Sequence, residues 1–457
     1  LSTKVAQALP GLNQLQRDAY DAVTHAIARS PQTPQEVEAF LHSPRHSGVF
    51  FIYSPGGCGK THLNQVLLNQ VRSQGDIALA MAASGIAALL MEGGATFHSR
   101  CKPPRDMGTR QPCDITPNND RGRIFLATRL ILIDEISMLH RGNLEALDQA
   151  LRDLMANKVH RGLAQVPFGG KVVVCTGDVR QILPVVRDDN QNATVRASLL
   201  CSPLWRHVRI LTLEENMRIR AARDLGQDAT LLQWFADLLL AIGEGRAPPP
   251  PPAAGNPHAT PPPPPPQLEF VVPPFMLPPP ELNNDPIQLL HHVYGDFHDA
   301  HNRTEEHLID RAILTPKNKD VDAMNDHAVQ SFPGEEKVYF SADRLAQDEN
   351  EGAYPMELLN SMNPPGFAPH QLRLKVGIPV ILLRNINPAQ GLANGTRLVI
   401  MHLSARVLQA KIVTGSHVGQ IVCLPRINMD TNDDTKGVPF ILRRRQYPVR
   451  PAFAMTI

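Results

Sequence analysis

The sequence contains few cysteines and carries almost no net charge. Its 457 residues include six cysteines, which lie far apart and form no C-x-x-C pair. This pattern argues against a zinc site and against the disulfide framework of a small secreted protein, and it favours a reducing, intracellular environment. The formal net charge is only +1. Any contact with nucleic acid is therefore expected from a local groove and not from a globally basic surface.

Long hydrophobic runs are also absent. No segment reaches the roughly 18 apolar residues that a membrane-spanning helix needs, so no association with a membrane is expected. The strongest candidate, residues 77–91, is interrupted by Ser84 and Gly85 and is more typical of a strand followed by a helix. The sequence begins with Leu1 rather than Met. We therefore expect the chain to be a fragment, with any targeting peptide outside it.

Proline is concentrated in a single segment, where roughly half of residues 248–280 are proline. Proline has no backbone N–H and a fixed φ, so an extended or disordered insertion is predicted over about 246–282. A ligand for proline-binding domains is the less favoured alternative to a spacer. The insertion separates an N-terminal part, residues 1–240, from a C-terminal part, residues 283–457. A chain of this length is expected to form two or three domains.

The two parts differ in their hydrophobic pattern. In the N-terminal part strand-like and helical segments alternate, which is typical of an α/β fold with a parallel sheet. Leucines at helical spacing predict an amphipathic helix over 143–155, and the Pro- and Asn-rich residues 100–122 predict a small excursion from the sheet. In the C-terminal part, short β-rich runs broken by turn dipeptides predict a small β-barrel or meander over about 372–440. The predicted strands of the N-terminal part are residues 49–53, 77–82, 129–133, 171–176 and 208–213.

The most informative motif is SPGGCGKT, residues 54–61, which follows an apolar run and precedes a helical pattern. A glycine-rich turn of this kind presents backbone N–H groups and a positive helix end to a phosphate. Lys60 is predicted to reach the outer phosphates and the Thr61 hydroxyl to hold Mg²⁺. Ser54 replaces the consensus glycine, which would be unfavourable if its φ were positive. An ordinary glycine-rich turn is the alternative. The predicted nucleotide-binding residues here are Gly56, Gly57, Cys58, Gly59, Lys60 and Thr61.

Three polar residues after later strands extend this prediction. Asp134 and Glu135 follow the apolar run 130–133. In P-loop enzymes an acid at such a strand end holds Mg²⁺, as Asp134 would, and Glu135 is placed to polarise the attacking water. Gln181 follows another apolar strand and is placed to bond both the γ-phosphate and that water. Each residue alone has an ordinary structural explanation, but their order after the P-loop favours ATP·Mg²⁺ chemistry.

Several motifs in one order carry a resemblance to a known family. After the P-loop come DEISM (134–138), PFGG (167–170), GDVRQ (177–181), NMR (216–218), AILTPKN (312–318) and RRQYP (444–448). In this order they resemble the Pif-type 5′→3′ DNA helicases, relatives of RecD in helicase superfamily one, and most of all the helicase part of Helitron transposons. The resemblance runs from about residue 12 to residue 457, outside the proline-rich insertion. It implies two RecA-like P-loop lobes, with a small β-rich, SH3-like insertion in the second.

The resemblance also implies roles for particular residues. Gln16 would read the adenine edge, because an amide both donates and accepts hydrogen bonds, although alone it would be an ordinary helix-surface glutamine. Arg218 would reach the γ-phosphate and stabilise charge in the transition state. The implied catalytic residues are thus Lys60, Asp134, Glu135, Gln181 and Arg218. Contacts to the phosphates of single-stranded DNA would come from Ser84, Gly85, Thr96 and His98 in the first lobe and from Thr315, Lys317 and Asn318 in the second.

The function implied is that of an ATP-dependent 5′→3′ DNA helicase. It would be a monomeric motor on single-stranded DNA and DNA junctions, with roles in repair, recombination, telomere maintenance or Helitron transposition. The nucleus is the expected location and the mitochondrion the alternative. The family's second-lobe arginine for the γ-phosphate would follow Ile457, so this chain is expected to bind ATP·Mg²⁺ but to hydrolyse it weakly.

Two other functions are compatible with parts of the sequence. One is a catalytically impaired, transposon-derived protein that binds nucleic acid, which Ser54 would allow. The other is a small-molecule P-loop kinase, against which the motifs after residue 290 argue. Stimulation of ATP hydrolysis by single-stranded DNA would distinguish the helicase from both.

Overall fold

The computed structural model describes residues 1–31, 33–42, 48–104, 111–181, 183–184, 186, 191–246, 272, 276–279, 282, 285–345, 354–364, 366–415, 417–431 and 440–456. The chain forms two compact units, Leu1–Pro274 and Phe275–Ile457. Most of the insertion predicted over 246–282 lies outside the described residues, so its extended conformation stays a prediction. Of the helices described, none has both the length and the apolar character needed to cross a membrane.

The first unit consists of a six-stranded sheet and the helices around it. Its strands are β1 (Val49–Tyr53), β2 (Ile77–Ala82), β3 (Ala95–Thr96), β4 (Thr128–Asp134), β5 (Val172–Gly177) and β6 (Arg209–Thr212). Its helices are α1 (Ser2–Ala8), α2 (Gln14–Arg29), α3 (Pro34–Leu41), α4 (Lys60–Ser73), α5 (Gly85–Leu89), α6 (Phe97–Cys101), α7 (Asp120–Ala127), α8 (Arg141–Lys158), α9 (Gln191–Ala197), α10 (Met217–Asp224) and α11 (Thr230–Gly243).

All six strands run parallel, in the order β3-β2-β4-β5-β1-β6. The five strands predicted from the sequence are found to within one residue at each end, and the two-residue β3 was missed. In this register Tyr53 at the end of β1 pairs with Gly177 at the end of β5. The loops that follow these strands therefore begin side by side at the carboxyl edge of the sheet, where ligands of open α/β sheets bind.

The central strands are buried on both faces, which explains their continuous apolar sequences. Alternate residues of β4 enter two separate clusters. Leu130 and Leu132 pack with residues of α2 and α4, whereas Ile131 and Ile133 pack with residues of α8. The helix predicted over 143–155 lies within α8, and its four leucines, 144, 147, 151 and 154, are all buried.

The second unit contains shorter helices and is rich in β-strands. Its helices are α12 (Pro286–Tyr294), α13 (Glu305–Ile309), α14 (Asn318–Ser331) and α15 (Met356–Ser361). Its strands are β7 (Ile313–Thr315), β8 (Lys337–Phe340), β9 (Ala342–Leu345), β10 (Gln371–Leu374), β11 (Pro379–Leu382), β12 (Arg397–Leu403), β13 (Val407–Ile412), β14 (Ile421–Pro425), β15 (Ile427–Asp430), β16 (Leu442–Gln446), β17 (Val449–Pro451) and β18 (Ala454–Thr456).

The β-strands of this unit form several small sheets. A five-stranded antiparallel sheet has the order β14-β13-β12-β11-β17, and a three-stranded sheet has the order β15-β16-β9. The β-rich region predicted over 372–440 is thus present, although residues 432–439 lie outside the described part of the chain. It also includes β8 and β9, which precede the predicted boundary and pair with β10 and β16.

A parallel strand pair, β7 with β18, forms a separate two-stranded sheet in the second unit. Asn325 of α14 fastens this pair, since its side-chain oxygen accepts the N–H groups of Phe453 and Ala454 at 3.0 and 2.9 Å. Its Nδ2 atom donates to the Ala454 carbonyl at 2.9 Å. The helix and the strand pair are therefore joined by hydrogen bonds to the main chain as well as by packing.

Candidate nucleotide-binding site

The P-loop turn lies between the end of β1 and the start of α4. Gly57 has φ +88° and Gly59 has φ +81°, conformations that favour glycine. A Cβ atom at Gly57 would also lie only 2.7 Å from the Asn216 side-chain oxygen. Ser54 is fully buried, and its φ is not positive. The serine in place of the consensus glycine therefore causes no strain in the backbone.

Lys60 is the first residue of α4, and its side chain reaches back across the turn. The Nζ atom donates to the carbonyl oxygens of Ser54 at 2.9 Å and Pro55 at 3.3 Å. An anionic phosphate oxygen is a stronger acceptor for an ammonium group than a neutral carbonyl, so a bound phosphate would compete for these donors. Thr61 is exposed, and its hydroxyl is accessible to a ligand.

Asp134 ends β4 and is held by hydrogen bonds from two sides. Its side chain is buried, and Oδ1 accepts the Thr176 hydroxyl at 2.5 Å and the Glu135 N–H at 3.0 Å. The Thr176 oxygen itself accepts Nδ2 of Asn64, on α4, at 3.1 Å. One carboxylate oxygen is thus fixed by β5 and, through Thr176, by α4. Oδ2 has no hydrogen-bond partner in the described part of the chain, which leaves it available to a cation.

Glu135 adopts an unusual backbone conformation directly after β4. Its φ of +51° and ψ of 41° are left-handed, a conformation that is unfavourable for non-glycine residues and is concentrated at functional sites. Burial, and then the nearby charge of Asp134, raise the pKa of the Glu135 carboxyl. A carboxylate with a raised pKa is a better proton acceptor, as a residue that polarises water requires.

Gln181 lies in the turn after β5, where Asp178 organises the backbone. Oδ1 of Asp178 accepts the N–H and Nε of Arg180 at 3.1 and 2.9 Å, and Oδ2 accepts Nε2 of Gln181 at 3.4 Å. Gln181 itself is exposed. The turn thus presents an amide side chain to solvent on a well-bonded support.

Gln16 lies in the first turn of α2 and is only 1% exposed. Its Oε1 atom accepts the Asn13 N–H at 3.0 Å, which completes a capping box at the start of the helix. Its Nε2 atom donates to the Cys58 carbonyl of the P-loop turn at 3.1 Å. A contact with an adenine edge would require these bonds to be exchanged for bonds to the base.

The segment around Arg218 lies against the same turn. The Met217 N–H donates to the Gly57 carbonyl at 2.9 Å, and the Asn216 side chain caps α10 by accepting the Arg218 N–H at 3.1 Å. Arg218 is exposed. The structure therefore brings all the predicted catalytic residues to the carboxyl edge of one sheet or to loops that contact it.

Sequence reasoning missed three residues that support the site. Asn64 and Thr176 hold Asp134, and Arg180 joins the Gln181 turn to its surroundings. A polar residue in the apolar stretch of α4 was the available signal for Asn64. Thr176 belongs to the predicted strand 171–176 and Arg180 to the motif GDVRQ, but the sequence gives no indication of their partners.

The residues proposed to touch DNA lie at strand ends in both units. Ser84 and Thr96 follow or end β2 and β3, and each accepts a backbone N–H as the cap of a short helix. His98 is exposed on α6, and Gly85 begins α5. In the second unit Thr315 ends β7 and is buried, whereas Lys317 and Asn318 are exposed at the start of α14.

No cluster of three or more His, Cys, Asp or Glu side chains suited to a metal ion occurs among the residues described. Mg²⁺ that arrives with a nucleotide usually takes only one or two carboxylates from the protein, together with phosphate oxygens and water. Asp134 with an available oxygen and Thr61 with an accessible hydroxyl fit this requirement.

Family models match two regions of the chain. The model described as PIF1-like helicase matches residues 35–250, and that of the DNA helicase Pif1 2B domain matches residues 357–403. Among curated proteins, the human ATP-dependent DNA helicase PIF1 is 24% identical over 93% of this chain and 55% of its own length. The RRM3 helicase of Saccharomyces cerevisiae is 31% identical over 38% of this chain and 24% of its own length. The chain thus spans at most about half of these relatives.

Solved structures show the same fold at low sequence identity. The Candida albicans Pif1 helicase is 20% identical, with a TM-score of 0.58 over 97% of this chain and 85% of that one. A Bacteroides Pif1 structure in complex with ADP-AlF3 and single-stranded DNA is also 20% identical, with a TM-score of 0.54 over 93% of this chain and 82% of that one. The predicted α/β class, with two RecA-like lobes and a β-rich region in the second, is confirmed.

Proposed function

Since the chain belongs to the PIF1-like helicase family, we propose that it is an ATP-driven motor that moves 5′→3′ along single-stranded DNA and unwinds duplex. The observation that carries the proposal is the arrangement at the carboxyl edge of the first sheet. There the P-loop follows β1. Asp134, a buried acid with one available oxygen, ends β4, and Glu135, an acid with a raised pKa, comes directly after it. This set suits hydrolysis of a nucleoside triphosphate bound with Mg²⁺.

Each residue has a defined part in the proposed reaction. Lys60 and the turn N–H groups would bind the outer phosphates, while Thr61 and Asp134 would hold Mg²⁺. Glu135 would polarise the attacking water, and Gln181 would orient it against the γ-phosphate. Arg218 would stabilise the charge that develops on the transferred phosphoryl group.

The DNA would be bound through its backbone. We propose that Ser84, Gly85, Thr96 and His98 of the first unit grip phosphates, together with Thr315, Lys317 and Asn318 of the second. We further propose that residues 1–240 and 283–457 are the two motor lobes, that 246–282 is an insertion, and that the β-rich region is the accessory domain of the second lobe. The expected setting is DNA maintenance or Helitron transposition, in the nucleus or the mitochondrion.

The test is ATP hydrolysis by the purified chain with and without single-stranded DNA, followed by unwinding of duplexes with a 5′ or a 3′ tail. We expect this chain to show weak hydrolysis that DNA stimulates and no unwinding of its own, whereas a longer chain that includes the second-lobe arginine should open only the 5′-tailed duplex. Lys60→Ala should lower hydrolysis by at least about 100-fold, because the outer phosphates lose a charged donor. ATP hydrolysis that DNA does not stimulate would favour the small-molecule P-loop kinase. DNA binding without any ATP turnover would favour the catalytically impaired transposon remnant.

A further inference from the structure

Arg180 joins three parts of the first unit that are distant in sequence. Its Nε atom donates to Asp178 Oδ1 at 2.9 Å, and its Nη1 atom donates to Glu244 Oε1 at 2.9 Å. The guanidinium lies over the Tyr53 ring, 4.7 Å from its centroid. The side chain is only 11% exposed. One planar cation therefore contacts the turn that carries Gln181, the end of the P-loop strand, and the residue that follows α11.

The end of α11 is shaped to receive this side chain. A Cβ atom at Gly243 would lie 3.0 Å from Arg180 Cβ, so the glycine leaves room for the arginine stem to cross the helix end. Glu244 also pairs with the exposed Arg246, through Oε2, at 2.5 Å. Glu244 thus has an inner arginine partner on the Gln181 turn and an outer one beyond its own helix.

The geometry points to a coupling role: we propose that Arg180 is a positioning residue that holds the Gln181 turn in its working geometry and ties it to the end of α11 through Glu244. The inference rests on the proposed function, in which Gln181 orients the attacking water. The helix α11 is the most C-terminal helix described in the first unit. A shift of the Gln181 turn on phosphate release is transmitted by the ion pair to this helix end.

The chemistry of arginine suits this task better than that of lysine. A guanidinium donates from several nitrogens in a fixed plane and stacks on an aromatic ring, whereas an ammonium group is a single, strongly hydrated point. Arg180 donates from two nitrogens to two different carboxylates and also lies over the Tyr53 ring. Lysine can replace one of these contacts but not all three, so Arg180→Lys is expected to rescue function only in part.

The experiment compares binding of Mg·ADP with binding of Mg·ADP plus aluminium fluoride, which imitates the transferred phosphoryl group. In Arg180→Met and in Glu244→Gln we expect unchanged affinity for ADP and about tenfold or greater weakening for the fluoride complex, a typical coupling between two sites. The double variant should be no worse than Arg180→Met alone. Arg246→Met, which removes the outer partner of the same carboxylate, is the matched control and should behave as the unaltered chain.

Hydrogen exchange supplies the second readout. The N–H groups of Glu244, Gly245 and Arg246 are bonded to carbonyls of α11. The fluoride complex should slow their exchange in the unaltered chain and in Arg246→Met, but not in Arg180→Met. Equal weakening of both nucleotide complexes in Arg180→Met, or an unaffected Glu244→Gln, would overturn the coupling role. If the unaltered chain binds no nucleotide, the proposed function fails, and the coupling role that rests on it fails with it. If the unaltered chain binds both the ADP and the fluoride complex but Arg180→Met does not weaken the fluoride complex selectively, only the coupling role is refuted.

Discussion

Individual residues around the P-loop turn are held by bonds to the main chain. Lys60 binds two carbonyl oxygens of its own turn, and Gln16 binds a third, that of Cys58. Together these bonds hold the turn between the end of β1 and the start of α4 in a defined shape. Substitutions in this region are therefore expected to separate into those that affect phosphate binding and those that affect the reaction itself.

Glu135→Gln should allow ATP to bind but stop its hydrolysis, because an amide cannot accept a proton from the attacking water. The measurement is nucleotide affinity beside single-turnover hydrolysis. Loss of ATP binding would instead assign Glu135 a structural role. Because burial and then Asp134 raise its pKa, hydrolysis should also decline as the pH falls, and this decline should begin at a higher pH than for an ordinary glutamate. This decline in hydrolysis at low pH should result from protonation of Glu135 and not from a change in the DNA.

Gln16→Ala should weaken binding of ATP, GTP and inorganic tripolyphosphate to a similar extent. The reason is that both ends of the Gln16 amide are bonded to the backbone at Asn13 and Cys58, so the substitution disturbs the phosphate-binding turn. Competition with a fluorescent nucleotide measures the three affinities. A loss confined to ATP would show that Gln16 exchanges these bonds for the adenine edge and reads the base.

At the scale of secondary-structure elements, buried cations bind the carbonyl ends of helices. Lys171 donates to the Leu126 and Thr128 carbonyls at the end of α7, and Lys375 donates to the Phe332 carbonyl after α14. A positive charge at a helix C-terminus is favourable because it satisfies carbonyls that have no partner within the helix. Burial of the charge opposes this gain, and the balance between the two can be measured.

Lys171 is expected to make stability depend on alkaline pH. Burial, and then Arg129, lower the pKa of Lys171 from 10.5 to about 8. Between these values the unfolded chain holds a proton that the folded one has lost, so the free energy of unfolding rises with pH. Relative to Lys171→Met, the unaltered chain should gain about 2–3 kcal/mol across this window. Denaturant unfolding of both proteins at several pH values gives this difference, and a constant difference would show that Lys171 stays protonated.

A fully buried ion pair joins β9 and β16 in the second unit. Arg444 donates from two nitrogens to Asp343, at 2.9 and 2.6 Å, and both side chains are inaccessible to solvent. Arg444→Met should lower the free energy of unfolding by about 3–5 kcal/mol, because it leaves a buried carboxylate without its partner. Hydrogen exchange of the N–H groups of β9 and β16 over a denaturant series measures the loss.

The neighbouring pair of Arg443 with Asp430 is the matched control. Arg443 lies on the same strand β16, but its pair with Asp430 of β15 is partly exposed, so Arg443→Met should cost no more than about 1 kcal/mol. Replacing Arg444 and Asp343 together by Met and Asn should cost less than Arg444→Met alone, since no charge is left buried. Similar losses in Arg443→Met and Arg444→Met would refute the importance of burial.

At the scale of the whole molecule, positive and negative charges nearly balance, so DNA must be bound by local groups. The net charge is +1 over 457 residues, so long-range attraction of DNA is weak. The residues proposed to contact DNA lie at strand ends and helix starts of both units, and they offer N–H groups, hydroxyls, an amide, an imidazole and one lysine. Such groups bind the phosphate backbone and do not distinguish bases.

Binding of single-stranded DNA should therefore depend on salt and be nearly independent of sequence. We expect a log–log slope of about −0.7 for each phosphate neutralised. The measurement is fluorescence anisotropy with labelled oligonucleotides of mixed, thymine-only and adenine-only sequence over a range of salt. A flat salt response, or a strong preference for one sequence, would contradict backbone binding.

Much of the fold followed from local pattern. The strands of the first sheet were predicted to within one residue because buried parallel strands are continuous apolar runs between helices. The region over 372–440 was predicted because alternation and turn dipeptides are local signals. The pairing of β10 with β8 and of β16 with β9 was not predicted. Pairing between distant strands has no signature in either strand alone.

The same division applies to the candidate site. The sequence alone determined which residue types are present, namely a phosphate-binding turn with Lys60 and acids after a buried strand, because these motifs are contiguous in the chain. Only the tertiary structure decided that Thr176 fixes Asp134, that Gln16 binds the P-loop carbonyl and that Arg180 reaches Glu244. Each of these bonds joins residues more than 40 positions apart. Hydrogen bonds of this kind depend on distances set by the packed sheet and helices, and such distances are not encoded in any short segment of sequence.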